Sequence, residues 1–179
     1  MSDKTPEFQI TTPNGDDRER RVCATCGFID YVNPKIVAGV VAEDAEGRVL
    51  MCRRAIEPRS GFWTLPAGYM EEGESVAEGA AREAFEEARA KLEIVDLLGV
   101  YSIPRISQVQ IFFRARLTTP AISAGPESEE VALYAWEDIP FHQLAFPSVR
   151  WALEDWRARR GETAPVTALR TQGKDFAPY

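Results

Sequence analysis

Three glutamates, Glu83, Glu86 and Glu87, have the spacing that most clearly suggests chemistry. On an α-helix these positions fall within one sector of about 100°. Like charges at this spacing destabilise a helix, so the arrangement is most easily understood if a cation lies among them. Carboxylate oxygens in this number suit Mg²⁺ or Mn²⁺, which typically bridge to substrate phosphates. The spacing therefore favours diphosphate chemistry, although an acidic helix face is usually only solvated.

The helix that carries these glutamates has a clear start signal. Ser75 and Glu78 have the spacing of a capping box, in which the serine oxygen accepts from the amide three residues on and the glutamate reaches back. Helix-forming residues follow, so we predict a helix from Ser75 to about Lys91. Small apolar residues recur at intervals of four along it and suit close packing: Val76, Ala80, Ala84 and Ala88.

Apolar runs on either side of this helix predict a sheet. The runs 36–43 and 47–54 are separated by a short turn and predict a hairpin, and residues 62–70 predict a short strand leading into a loop. Two longer runs, 94–103 and 109–117, predict central strands, and 131–137 predicts a last one. Residues 148–160 predict an amphipathic helix.

The stretch from Gly68 to Glu87 resembles the Nudix box. Its order, Gly-x5-Glu-x7-Arg-Glu-x-x-Glu-Glu, matches every charged position of the box at its spacing. Two departures are visible: Arg89 stands where the family has glycine, and Ala84 and Ala90 stand where it has bulkier aliphatic residues. Because Arg89 is not glycine, we expect the helix to continue toward Lys91.

The resemblance covers about Cys23 to Leu153 and implies an α/β (α+β) fold. The Nudix fold is an α/β/α sandwich with a mixed sheet, in which the box forms a loop-helix-loop. We therefore predict three parts: an N-terminal arm with a degenerate zinc-ribbon knuckle at 1–35, a Nudix hydrolase domain at 36–160 and a C-terminal tail at 161–179. Residues 1 to about 21 are predicted to be a loose segment.

The resemblance also implies roles for individual residues. Glu83, Glu86 and Glu87 match the metal-binding carboxylates, and the carbonyl of Ala67 matches the backbone ligand. Beyond the central strands, Glu130 best matches a distal metal ligand and Glu127 is a candidate base. A solvated acidic loop is an equally good interpretation of Glu127 and Glu129. Arg82 is expected to hold carboxylates in register.

Substrate-binding candidates are weaker. Arg54 and Arg59, with Arg53, are candidate phosphate contacts because guanidinium groups suit phosphate oxygens. Trp63 and Tyr69, with Phe112, are candidates for stacking on a nucleobase. The ordinary interpretation is that an aromatic residue in a strand belongs to the core and that an arginine on a hairpin is solvated.

The cysteines leave the metal content of the N-terminal segment open. Cys23-x2-Cys26 followed by Gly27 resembles half of a zinc ribbon, whereas a structural zinc site needs four ligands. Residues 1–22 contain neither Cys nor His. With only Cys23 and Cys26 we expect no zinc, although two knuckles shared across a homodimer would supply four thiolates. Cys52 is expected to be buried and inert.

Composition limits the partners. A formal net charge of -7 and a pI near 4.9 argue against a nucleic-acid partner, because Lys and Arg supply most of that binding. We find neither a stretch of about 20 apolar residues nor a secretory signal, so we expect no membrane partner and a cytoplasmic protein.

Together these features predict an enzyme with a small-molecule nucleotide substrate. The predicted reaction is Mg²⁺-dependent hydrolysis of the pyrophosphate bond in a nucleoside diphosphate linked to another group, with ADP-ribose or FAD favoured by the resemblance. Two alternatives stay open at this point. One is a nucleoside triphosphate pyrophosphohydrolase, which the same box would support, and the other is a non-catalytic Nudix ligand sensor.

Overall fold

The structure is a computed structural model that describes residues 6–161 and 168–171. Contacts between residues divide the chain into two units, Met1–Pro34 and Lys35–Tyr179.

The N-terminal unit contains a three-stranded antiparallel sheet in the order β1-β2-β3. Its strands are β1 (Phe8–Thr11), β2 (Arg20–Cys23) and β3 (Ile29–Asp30). The sequence predicted a loose segment up to about residue 21, and the structure differs there. Phe8 pairs with Cys23, and an ion pair of 2.8 Å joins Arg20 to Asp16 in the connecting turn. These strands are short and polar, so they lack the apolar alternation that would reveal them.

The larger unit is built on a mixed sheet. Its strands are β4 (Lys35–Glu43), β5 (Val49–Arg54), β6 (Trp63–Thr64), β7 (Ala67–Tyr69), β8 (Leu92–Ile103), β9 (Gln108–Leu117), β10 (Ser128–Tyr134) and β11 (Ala168–Thr171). Their order is β10-β5-β4-β9-β8-β11, with β6 beside β5 and β7 beside β4. The β4/β9 and β8/β11 pairs are parallel and the others antiparallel. Strand β11 lies in the segment that the sequence predicted as a tail without structure.

Two helices, α1 (Val76–Ala88) and α2 (Pro147–Ala158), cover the two faces of this sheet. Helix α1 packs through Ala80, Ala84 and Ala88, which are fully buried in one core cluster with Ala38 and Val40. Helix α2 belongs to the other core cluster, to which it contributes Val149, Ala152, Leu153 and Trp156. The predicted α/β/α sandwich is confirmed. Among the described residues, neither helix is long and apolar enough to cross a membrane.

Strands β4 and β5 diverge almost as soon as they meet. The sequence predicted a regular hairpin, but the two strands pair only at Glu43 and Val49. Beyond that point β6 pairs with β5, and β7 pairs with β4. The sheet therefore opens between its two central strands, on the side where the chain leads into α1.

The C-terminus of α1 shows that one expectation was wrong. Arg89 does not extend the helix; it ends it, with φ 50° and ψ 20° in the left-handed region. Its amide donates to the carbonyl of Phe85 at 2.8 Å, and the Ala90 amide donates to that of Ala84 at 3.3 Å. A left-handed residue is a common helix terminator even where glycine is absent. The helix thus ends at Ala88, directly after the last candidate glutamate.

Candidate active site

A cavity of about 1060 Å³ lies where β4 and β5 diverge, and six glutamates line it. Two of them, Glu57 and Glu71, are exposed loop residues, and the other four are the candidate acidic groups. Three of them, Glu83, Glu86 and Glu87, come from α1, and the fourth, Glu127, comes from the loop before β10. We call this set the four cavity glutamates. The predicted grouping of the α1 glutamates toward one cavity is what the structure shows.

Close contact between α1 and β7 brings the carboxylates to the backbone. A Cβ atom placed on Gly68 would lie 2.3 Å from the Glu83 carboxylate, so a larger residue there would displace that carboxylate. The Ala67 amide donates to Oε2 of Glu87 over 3.4 Å. The glycine that opens the box is therefore explained by the space that the Glu83 side chain needs.

Glu87 is the most buried of the four cavity glutamates, with 6% of its surface exposed. Burial, and then the neighbouring charge of Glu83, raise the pKa of Glu87 to about 8, against the opposing effects of the Ala67 amide and the charge of Arg54. Burial also raises the pKa of Glu83. Without a bound cation, this cluster therefore resists full ionisation.

Arg82 holds the acidic groups in position, as expected. Its Nη1 donates to Glu83 Oε1 at 2.8 Å and to Glu86 Oε2 at 2.9 Å. Its Nε and Nη2 donate to the two carboxylate oxygens of Glu74, each at 2.9 Å, and Nη2 also donates to the Tyr69 carbonyl at 3.0 Å. The guanidinium lowers the pKa of Glu74 to about 2. Every donor atom of the guanidinium is engaged by the protein, which indicates a positioning role.

The donor set fits a hard divalent cation, although no site for one is preassembled. In the chain from 6 to 161 and from 168 to 171, no three Asp, Glu, His or Cys side chains lie close enough to hold an ion. Glu83 and Glu86 are instead turned toward Arg82. Glu86 is about half exposed, and no ion pair within those ranges includes the buried Glu87. A buried carboxylate without a cationic partner beside others of its kind suits Mg²⁺ or Mn²⁺.

The loop before β10 is attached to the end of α1. The amides of Ser123 and Gly125 donate to the carbonyls of Ala88 and Glu87, each at 2.9 Å, and so satisfy groups that a helix end leaves unpaired. The Ala55 amide donates to the Glu127 carbonyl at 2.8 Å. These bonds place Glu127 at the cavity. Sequence reasoning missed Gly125, whose signal was the turn-marking dipeptide Gly125-Pro126.

Replacing Gly125 with valine should displace this loop. A Cβ atom at position 125 would lie 1.7 Å from the Glu86 carbonyl oxygen, which is backbone and has no freedom to move aside. We expect a loss of about 2 kcal/mol in the free energy of unfolding and a fall in turnover, measured by urea unfolding and by product release. The exposed neighbour Ala124, changed to valine, is the matched control. Equal stability of the two variants would contradict the attachment.

Glu130 does not line the cavity, so the structure gives no support to its predicted role as distal metal ligand. It lies opposite Arg53 in the β10/β5 pair, and its Oε2 is 3.5 Å from Arg53 Nη1. Glu129 also faces Arg53, at 3.4 Å. The described residues that line the cavity include Glu127 but neither Glu129, Glu130 nor Arg53. A register irregularity between Ser128 and Glu130 shifts the alternation on which a position-by-position match depends.

Three of the four substrate-binding candidates line the cavity: Arg54, Arg59 and Tyr69. Arg54 Nε donates to the Pro58 carbonyl at 2.9 Å, and Arg59 Nε donates to the Ala145 carbonyl at 3.2 Å. Neither of these hydrogen bonds uses the terminal nitrogens Nη1 and Nη2 of the guanidinium, which remain for other partners.

Trp63 is the candidate that the structure does not support. Its side chain is 5% exposed and lies edge-on to Tyr134, with ring centroids 5.1 Å apart, in the core under α2. Phe112 is also buried, although it forms part of the cavity floor. The core interpretation therefore holds for Trp63.

Several cavity residues were missed from the sequence. They lie on β9, in the turn before it and at the start of α2: Arg105, Gln108, Gln110, Phe146 and Ser148. The available signal was the alternation Gln108, Gln110, Phe112, since residues two apart in a strand share a face.

The cysteine knuckle has an ordered turn in the N-terminal unit. The Gly27 amide donates to the Cys23 carbonyl at 2.9 Å, and Gly27 has φ 74°. Hydrogen bonds from the backbone of Cys26 and Thr25 lower the pKa of the Cys23 thiol. Cys23 is buried and Cys26 exposed. Zinc content stays a prediction. Cys52 is buried, as expected, and burial raises its pKa.

Comparison with known proteins agrees with this site. Residues 33–156 match the Nudix domain family, and residues 6–32 match the family described as Nudix N-terminal. The chain is 31% identical over 121 residues to the ADP-ribose pyrophosphatase of Methanocaldococcus jannaschii, covering 65% of this chain and 69% of the relative. It is 36% identical over 100 residues to a MutT-like protein of Streptomyces ambofaciens, of which it spans 60%.

A solved structure extends the similarity to nearly the whole chain. The crystal structure of a Nudix hydrolase from Nitrosomonas europaea is 41% identical and superposes with a TM-score of 0.89. The match covers 97% of this chain and 98% of that one. With the box glutamates grouped at one cavity and the family match spanning most of the chain, this protein belongs to the Nudix hydrolase family.

Proposed function

We propose that this protein hydrolyses the pyrophosphate bond of a nucleoside diphosphate linked to a second group, with Mg²⁺ as cofactor and ADP-ribose or FAD as substrate. The supporting observation is the two-sided cavity. Arg54 and Arg59 form a wall on the β5 side of the cavity, Tyr69, Gln108 and Gln110 form a wall on the β7 and β9 side, and the four cavity glutamates also line it. A substrate with a bulky group on each side of its diphosphate would use both walls. The similarity to a relative named ADP-ribose pyrophosphatase supports the same substrate class.

The metal would be held by Glu83, Glu86 and Glu87, with the Ala67 carbonyl as the backbone ligand that the family implies. When bound, such an ion screens phosphate oxygens and makes a water molecule easier to deprotonate. Arg82 keeps Glu83 and Glu86 together, and the guanidinium groups of Arg54 and Arg59 neutralise phosphate charge.

In this proposal Glu127, which lines the cavity, acts as the base. In the proposed step it takes a proton from water while the water oxygen forms a bond to one phosphorus. The bond from that phosphorus to the bridging oxygen breaks, and two phosphate monoesters leave, one of them a mononucleotide. The step needs no covalent intermediate.

A substrate panel tests the proposal. Purified protein with Mg²⁺ is incubated with ADP-ribose, FAD, NADH, nucleotide sugars and nucleoside triphosphates, and released mononucleotide is measured. We expect turnover of ADP-ribose or FAD above that of the triphosphates. Preference for triphosphates would favour a triphosphate pyrophosphohydrolase, and no turnover of any compound would favour a ligand sensor.

Two matched variants test the proposed roles of Glu127 and Glu130 separately. Glu127→Gln should lower kcat about 100-fold, the scale of general-base catalysis. Glu130→Gln, its matched control, should leave kcat unchanged because Glu130 contacts Arg53 instead of the cavity. Steady-state kinetics on the best substrate of the panel checks both. A large loss in Glu130→Gln with none in Glu127→Gln would reverse the assignment.

A further inference from the structure

One wall of the cavity carries a row of uncharged polar side chains. Strand β4 pairs with β7 on one side and with β9 on the other, so Tyr69, Val37 and Gln110 lie next to one another across three strands. Gln108, Gln110 and Phe112 share one face of β9. All five side chains line the cavity. The row is therefore part of the cavity wall.

Hydrogen bonds fix the orientation of these side chains. Gln110 Nε2 donates to Gln108 Oε1 at 3.3 Å, and Gln108 Nε2 donates to the Tyr69 hydroxyl at 2.9 Å. We call these two hydrogen bonds the relay. Their direction determines which donors and acceptors remain available to a ligand. A glutamine amide has two N–H donors and one carbonyl acceptor. Gln110 therefore keeps one N–H and its carbonyl oxygen, and Tyr69 keeps its hydroxyl proton.

The remaining donor and acceptor of the Gln110 amide can pair with a base edge that presents an acceptor next to a donor. Adenine presents an amino donor at N6 next to an acceptor at N7, which is the pattern that a glutamine amide reads with two hydrogen bonds. Guanine presents two acceptors, O6 and N7, at the same edge, so the Gln110 carbonyl would face an acceptor. Through this N7 edge, Gln110 would therefore pair with adenine and not with guanine.

Tyr69 supplies a stacking surface for the same base. Its side chain is 49% exposed, and Lys35 Nζ lies 4.9 Å from the ring centroid. Base stacking on an aromatic ring contributes about 1–3 kcal/mol. The opposite wall carries Arg54 and Arg59, whose charges suit phosphate and the hydroxyls of a sugar better than an uncharged base. The two walls therefore differ in the half of the substrate that they suit.

We propose that Tyr69, Gln108 and Gln110 form an adenine-binding subsite, in which Tyr69 stacks on the base and Gln110 reads its N6 and N7 edge. This inference rests on the proposed function and assigns the nucleoside half of the substrate to the β7/β9 wall. Gln108 acts as a positioning residue, because it orients Gln110 and Tyr69 through the relay.

The test varies the two halves of the substrate separately. ADP-glucose and GDP-glucose differ only in the base, whereas ADP-ribose and ADP-glucose differ only in the other half. For Gln110→Leu we expect the ADP-glucose/GDP-glucose ratio of kcat/KM to fall about tenfold or more, the scale of one lost bidentate base contact. The change should lie in KM, and the ADP-ribose/ADP-glucose ratio should stay within twofold. Gln143→Leu, on a surface turn away from the cavity, is the matched control.

Conservative variants distinguish a loss of base recognition from a loss of folding. Gln108→Leu should reduce base selectivity in the same direction, and Tyr69→Phe should keep affinity that Tyr69→Ala loses, because the ring remains. An equal loss on all three substrates in Gln110→Leu would overturn the proposal, as would a change confined to the ADP-ribose/ADP-glucose ratio.

Mononucleotide binding keeps this test separate from that of the reaction. Calorimetry of AMP and GMP with the metal-free protein measures the base preference without turnover. Preference for AMP in the wild type, lost in Gln110→Leu, would support the subsite even if no diphosphate were hydrolysed. Equal binding of AMP and GMP by the wild type, or no binding of either at millimolar concentration, would reject it.

Discussion

Glu87→Gln is expected to reduce kcat by about 1000-fold at saturating Mg²⁺ while the fold stays intact. Glu87 is the most buried of the four cavity glutamates, and no ion pair recorded for residues 6–161 and 168–171 includes it. Glutamine keeps the size of the side chain and removes the charge that a divalent cation would need. The measurement is steady-state turnover of ADP-ribose together with a circular dichroism spectrum.

Glu93→Gln is the control for this variant. Glu93 is an exposed residue of β8 opposite Arg116, away from the cavity, so its turnover should equal that of the wild type. If Glu87→Gln retained full activity at saturating Mg²⁺, the role assigned to Glu87 would be refuted.

The metal-free protein is expected to lose stability as the pH rises from about 4.3 to 8. The folded state raises the pKa of Glu87 to about 8, so it binds a proton that the unfolded chain releases near pH 4.3. The contribution of protonated Glu87 is fully present below that lower value and is lost as the pH passes 8. It corresponds to about 5 kcal/mol in the free energy of unfolding.

Comparison with Glu87→Gln isolates this contribution. Urea unfolding in EDTA between pH 5 and pH 9 should show a falling stability for the wild type and a much flatter profile for the variant, because all other carboxylates are common to both. At pH 9, Mg²⁺ should restore the stability of the wild type far more than that of the variant. Parallel pH profiles of the two proteins would contradict the raised pKa.

The features predicted well from sequence are those set by local geometry. The capping box at Ser75 and Glu78 is present with both of its hydrogen bonds, because it depends only on residues three apart. The grouping of Glu83, Glu86 and Glu87 toward one cavity follows from helical periodicity alone. The two long central strands appear as predicted, as β8 and β9.

The features predicted poorly depend on distant parts of the chain. Arg89 ends α1, at a point where Ser123 and Gly125 bond to the last helical carbonyls. Of the two acidic candidates near β10, Glu127 lines the cavity and Glu130 does not, because one irregularity in strand register changes which side chain faces the cavity. Sequence periodicity shows neither effect.

Because β4 and β5 diverge, the residues proposed to bind the metal and those proposed to bind the base reach one cavity from different sides of the sheet. The glutamates proposed to hold the metal come from α1 on one side of the sheet, whereas Gln108, Gln110 and the start of α2 approach from the other. With the proposed adenine-binding subsite on β9, substitutions in this strand would change which nucleotide is bound without disturbing the carboxylates. An engineered change of substrate in this protein should begin at β9 and leave α1 intact.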